Sequence, residues 1–178
     1  MNEVEEILQK AIELEVQQQK AYLASAAKTE REKGRLMFEL LARGERAHEQ
    51  FLKNQLASVR EGKGWIDEDE LEIHPKTENL VQKVADSKVQ VKAEDITEPE
   101  SLTTESTQDL DALKIAIESE IRSIEFYAQA AAKTKDEGGR KVLLRLVEEE
   151  EDHLKNLETQ RFYLENHGVW VDPNSGTL

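Results

Sequence analysis

Apolar residues return at intervals of three, four and seven along most of this chain, the period of one face of an α-helix. Leu8, Ile12, Tyr22 and Ala26 form one such stripe, and Phe38, Leu41 and Leu52 a second. Leu113, Ile117, Ile124, Tyr127 and Ala131 form a third, and Leu143, Leu146 and Leu157 a fourth. The pattern predicts four long helices, over about 4–29, 35–60, 110–134 and 140–166. Gly34 and Gly139 are expected in the tight turns inside each helical pair.

The second pair of helices repeats the first. AIELEVQQQKAYLASAAKT, residues 11–29, returns as AIESEIRSIEFYAQAAAKT, residues 116–134. Glu15 maps to Glu120, Tyr22 to Tyr127, Glu45 to Glu150, His48 to His153 and Trp65 to Trp170, always 105 positions apart. An internal repeat of this kind dictates the fold. The expectation is an all-α four-helix bundle made of two helical hairpins, 4–67 and 110–172, in one domain over 1–178. Each hairpin closes with a Gly-rich turn and a tryptophan, EGKGWID and NHGVWVD, and Trp65 and Trp170 are expected to cap the bundle ends.

The segment 68–109 has no copy. It is rich in Glu, Thr, Ser and Lys and carries Pro75 and Pro99. It reads as a long crossover. A helix of about 26 residues is roughly 40 Å long, and some forty residues suffice to travel that distance. A short helix over 78–85 is expected within it, with Leu80, Val81 and Val84 facing the bundle.

Composition narrows the function. Of 178 residues only three are Pro and eight Gly, which suits long helices. The formal charge of −14 argues against nucleic acid or an anionic membrane surface as partner. No apolar run approaches a membrane span, and the first ten residues lack the apolar stretch of a secretory signal. The chain contains no cysteine, so it builds no disulfide and no thiolate iron centre. A cytoplasmic protein is expected.

The candidate chemistry sits on the inward stripes. Glu-x-x-His places a carboxylate and an imidazole one turn apart on one helix face. It occurs as Glu45–His48 and as Glu150–His153, each between core leucines. In a chain with 38 acidic residues one such pair would mean little; two in register mean more. Each partner helix adds one inward glutamate, Glu15 or Glu120. Glu13 and Glu118 also repeat, but they fall roughly 200° round the helix from those stripes. Glu15, Glu45, His48, Glu120, Glu150 and His153 therefore converge on one interior. Four ionised carboxylates there are very costly unless paired, and two divalent cations cancel their charge. Carboxylate with imidazole suits iron or manganese, with zinc as a substitute.

Several neighbours read more plainly. The acidic run Glu148, Glu149 and Glu151 is expected on a solvated face. Gly44, mid-helix beside Glu45, leaves room either for a ligand or for close helix approach, and the sequence does not choose between them. His74 and His167 read as surface or capping residues.

With these residues in place, the chain resembles the rubrerythrin branch of the ferritin-like superfamily, most closely in AIESEIRSIEFYAQAA and RLVEEEEDHLKNLE. The resemblance covers both hairpins. It implies a dinuclear iron site bridged by Glu45 and Glu150, with Glu15 and Glu120 as terminal ligands and one histidine per metal. It also implies that Tyr22 and Tyr127 hydrogen-bond to ligand carboxylates. Rubrerythrins proper add a rubredoxin-like iron domain, which this sequence lacks, so the electron donor is expected to be a separate molecule such as a rubredoxin-like protein. They also carry an extra glutamate one turn after the third-helix ligand. Here that position is Ser123, and its repeat equivalent is Gln18.

The leading expectation is an oxidoreductase in which Fe(II) reacts with peroxide or dioxygen. A ferroxidase serving iron storage and a bundle stabilised by a structural metal are the alternatives, with a dimanganese catalase as a lesser one. A homodimer is expected from the family.

Overall fold

A computed structural model describes residues 3–66 and 104–172. The crossover helix expected over 78–85 and His74 lie outside the described residues. The described residues form four helices: α1 Glu3–Lys28, α2 Glu32–Arg60, α3 Thr104–Lys133 and α4 Glu137–His167. Among the described residues no helix is long and apolar enough to cross a membrane.

α1 packs along α2, α3 along α4, and α1 meets α3. The core falls into two apolar clusters. One joins Leu8 and Ala11 of α1 to Leu52 and Leu56 of α2, Tyr127 and Ala131 of α3, and Leu143 and Leu146 of α4. The other joins Tyr22 and Ala26 to Phe38 and Leu41, Leu113 and Ile117, and Leu157 and Leu164. Each cluster takes the opposite half of every helix, so the clusters occupy the two ends of an all-α four-helix bundle. α1 thus runs against both α2 and α3. The last turn of α2 and the first turns of α3 lie at opposite ends, as a crossover along the bundle requires.

Two sequence expectations are corrected. The third helix starts at Thr104, not near residue 110. Its polar first turns carry no apolar period, yet they hold Asp109, which is buried and accepts a hydrogen bond from Trp170 Nε1 at 2.8 Å. Gly34 and Gly139 are not turn residues: they lie in the first turns of α2 and α4. A Cβ on Gly34 would come within 2.5 Å of the Trp170 ring, and one on Gly139 would overlap Trp65. Both positions need glycine so that an indole from one hairpin can press against a helix of the other.

That contact makes the tryptophans end closures, as expected. Behind each, a buried glutamine fixes the returning chain. Gln55 donates to Ile66 O and accepts from Ile66 N, at 3.0 and 2.9 Å. Gln160, 105 positions on, does the same with Val171 at 3.0 Å in both directions. Gly168, at φ 66°, provides the left-handed cap that ends α4.

Candidate metal centre

Between the two apolar clusters lies a polar layer. α1 contributes Glu15, α2 Glu45 and His48, α3 Glu120, and α4 Glu150 and His153. Glu15, Glu45, Glu120 and Glu150 have no solvent exposure, and His48 has almost none. Glu13 and Glu118 are exposed. The six residues singled out by spacing therefore come together in one interior.

They form two overlapping groups. Glu15, Glu45, His48 and Glu150 make the first; Glu45, Glu120, Glu150 and His153 make the second. Within each group the donor atoms lie within 4.8 Å of one another. Glu45 and Glu150 belong to both. His48 Nδ1 stands 3.5 Å from Glu15, 3.4 Å from Glu45 and 3.2 Å from Glu150. His153 Nδ1 stands 3.1 Å from Glu45, 3.2 Å from Glu150 and 3.9 Å from Glu120. The imidazoles stack with centroids 5.5 Å apart.

The layer is not satisfied by its own hydrogen bonds. Among the described residues, the buried side-chain atoms without a hydrogen-bond partner are Glu15 Oε2, both Glu45 oxygens, His48 Nδ1 and Glu150 Oε1. All belong to these groups. Buried polar atoms are rarely left this way, because each carries its full desolvation cost. A cation between them removes that cost, and mixed carboxylate–imidazole donors suit a first-row transition metal.

Without a metal the charges settle among themselves. Burial, reinforced by Glu45 and Glu150, pushes the Glu15 and Glu120 carboxyls well above the usual range. Burial also works against ionised Glu45 and Glu150, but the two histidines outweigh it and hold both low. Burial alone would lower His48 and His153; the surrounding carboxylates overcome it and raise both. The raised groups hold their protons more tightly in the metal-free fold, and a divalent ion competes with those protons for the same atoms.

The tyrosines act across the hairpins. Tyr22, on the helix of Glu15, donates to Glu120 Oε1; Tyr127, on the helix of Glu120, donates to Glu15 Oε1. Burial and the nearby carboxylates push both phenols up, so they stay protonated and keep donating. Each ties one hairpin to the glutamate of the other.

Three participants are named by the sequence reading without an assigned role. Gly44 makes room for His153: a Cβ there would lie 2.9 Å from Cε1 and Nε2 of the imidazole. Gln18 donates to Glu120 Oε2 at 3.3 Å, and Ser123 Oγ donates to Gln18 Oε1 at 2.9 Å. Gln18 and Ser123 had a signal, since they fall on the inward series 15, 18, 22 and 120, 123, 127. Gly44 had none beyond adjacency to Glu45. Glu149 also departs from its expected solvated face: it is largely buried and pairs with Arg145 at 2.7 Å. Glu148 and Glu151 are exposed as expected. His167 lies half-buried in the last turn of α4 beside Phe162 and Tyr163.

A four-helix bundle with a central layer of four glutamates and two histidines, able to hold metal, defines a ferritin-like class of protein. A family model for rubrerythrin matches residues 6–160, and the chain belongs to the rubrerythrin family. Neither the curated proteins nor the solved structures include a match to it.

Proposed function

We propose that this protein is an iron-dependent oxidoreductase that reduces hydrogen peroxide or dioxygen at a dinuclear centre. The observation that carries the reading is the sharing of Glu45 and Glu150 between two donor groups whose inward atoms lack other partners. Carboxylates placed in both groups suit bridging ligands. Glu15 with His48 would complete one iron position, and Glu120 with His153 the other.

Two iron ions held there supply the electrons that reduce the oxidant. The chain's own residues do the rest. Tyr22 and Tyr127 orient Glu120 and Glu15 and keep their protons at the edge of the site. The apolar clusters at either end exclude bulk water, which strengthens electrostatic interactions within the layer. Glu15, Glu120, His48 and His153 give up their protons as the metals load. A separate reductant such as a rubredoxin-like protein would supply electrons to the site. Homodimerisation and a cytoplasmic location belong to the same proposal.

The test is anaerobic loading with Fe(II), followed by stopped-flow absorbance after mixing with hydrogen peroxide and, separately, with dioxygen. Oxidation of two irons per chain, faster with peroxide, is the expected result. Continuing iron uptake beyond two per chain would replace this reading with a ferroxidase that feeds storage. Binding without oxidation would replace it with a structural metal.

A further inference from the structure

The two donor groups share their central glutamates but differ at the edges. Glu15 has one oxygen bound by Tyr127, while its other oxygen is free and 3.5 Å from His48 Nδ1. Glu120 has both oxygens engaged, Oε1 by Tyr22 and Oε2 by Gln18. The Glu120 oxygen nearest His153 is the one Tyr22 already holds, and it stands 3.9 Å away. Glu15 thus presents a free oxygen to its histidine, whereas the second oxygen of Glu120 is held by an amide.

The amide is aimed by its own partner. Ser123 Oγ donates to Gln18 Oε1, which turns Gln18 Nε2 towards Glu120. Gln18 and Ser123 sit 105 positions apart, at equivalent places in the two hairpins, and both are buried. Glutamine in one and serine in the other breaks the symmetry: the long amide reaches a glutamate, while the short hydroxyl reaches the Gln18 amide, at 2.9 Å, and the Ser119 carbonyl of its own helix, at 3.3 Å.

Solvent follows the same asymmetry. The His153 side chain is 17% exposed against 2% for His48. A cleft of about 200 Å³ opens between α1 and α3, with Gln18, Tyr22, Ala21 and Ser119 among its walls. Gln18 and Tyr22 are the two donors to Glu120, so this cleft abuts the Glu120 side of the layer. The position equivalent to Ala21 in the other hairpin is Phe126, which packs on Tyr127 at 5.3 Å and on the core.

We propose that the cluster binds its two metal ions with unequal affinity, and that Gln18 is the positioning residue that makes them unequal by holding a Glu120 oxygen away from the second position. The inference rests on the dinuclear reading above. The Glu15–His48 position fills first. Filling the Glu120–His153 position requires that Oε2 leave Gln18, at a cost of about tenfold in affinity, the scale of one buried hydrogen bond.

The test is anaerobic titration of the full chain with Co(II), followed by its visible absorption and by competition with a chromophoric chelator. The wild type should show two steps separated by about tenfold or more. Glu15→Gln should remove the tighter step and Glu120→Gln the weaker one. Gln18→Leu should tighten the second step about tenfold and leave the first unchanged, an effect that loss of packing would not produce. Ser123→Ala, which keeps the packing of Gln18 but releases its amide, should move the second step the same way by less. It carries the test if Gln18→Leu loses helicity by far-ultraviolet circular dichroism. Two equal steps in the wild type would overturn the inference, as would a second step unchanged or weakened by these variants, while leaving the dinuclear reading intact. Absence of Co(II) binding would overturn both.

Discussion

The two ends of this bundle are closed by the same residue type in different surroundings. Trp170 is buried, meets Phe38 edge-on at 5.8 Å and donates to Asp109. Arg31 reaches the same corner, donating to Gly168 O at 2.7 Å and lying 4.0 Å from Asp109. Trp65 is half-buried and packs against the apolar cluster of Leu8, Leu52 and Leu143, as does Val4, the position equivalent to Asp109. One end is therefore a polar network and the other an apolar contact, although both rest on a glycine and a glutamine at matched positions. What the ends share is what geometry demands: room for an indole and partners for a returning backbone. What differs is how the leftover polar atoms are satisfied.

The metal layer between them should respond most strongly to change. Glu45→Ala or Glu150→Ala removes a ligand from both groups, and bound metal measured by elemental analysis should fall to near zero. Glu15→Ala or Glu120→Ala should leave one group largely intact and about half the metal. Equal losses in all four variants would erase the distinction between shared and unshared glutamates.

Gly44→Ala comes next. Alanine favours a helix by up to about 1 kcal/mol over glycine, but here its methyl meets His153. Such overpacking costs about 1–3 kcal/mol, and chemical denaturation should record a net loss. Gly34→Ala and Gly139→Ala should behave alike at the two ends, by collision with Trp170 and Trp65. A gain in stability at either would refute the close-packing account.

Trp170→Phe should then cost more than Trp65→Phe. The first removes an indole N–H that a buried carboxylate accepts, worth about 1–3 kcal/mol, from a more buried site. Equal costs would show that the Asp109 bond adds nothing to packing.

The smallest effect is on pH. His48 and His153 are raised in the metal-free fold, so their stabilisation is complete below their unfolded value of about 6.5. It is lost as pH rises through the raised values. Raised Glu15 and Glu120 act in the same direction. Metal-free protein should therefore lose melting temperature as pH climbs above about 6.5, whereas metal-loaded protein should gain relative to it, because protons no longer compete for the ligands.

Periodicity and the 105-residue register were enough to name the helices, their pairing and the six converging side chains. Those features are local or repetitive: a side chain's helical face follows from its spacing, and two copies of one hairpin bury the same stripe. The choice of Glu15 over Glu13 shows how far such reasoning reaches. The roles of Gly34, Gly139 and Gly44 were out of its reach. A glycine that makes room for a ring is identical in sequence to one that makes a turn, and the ring comes from residues more than a hundred positions away. The crossed tyrosines, the Gln18–Ser123 pair and the Asp109–Trp170 bond have the same origin. Each depends on where two helices from different hairpins touch, and that distance is set by packing the whole bundle rather than by any one stretch of chain.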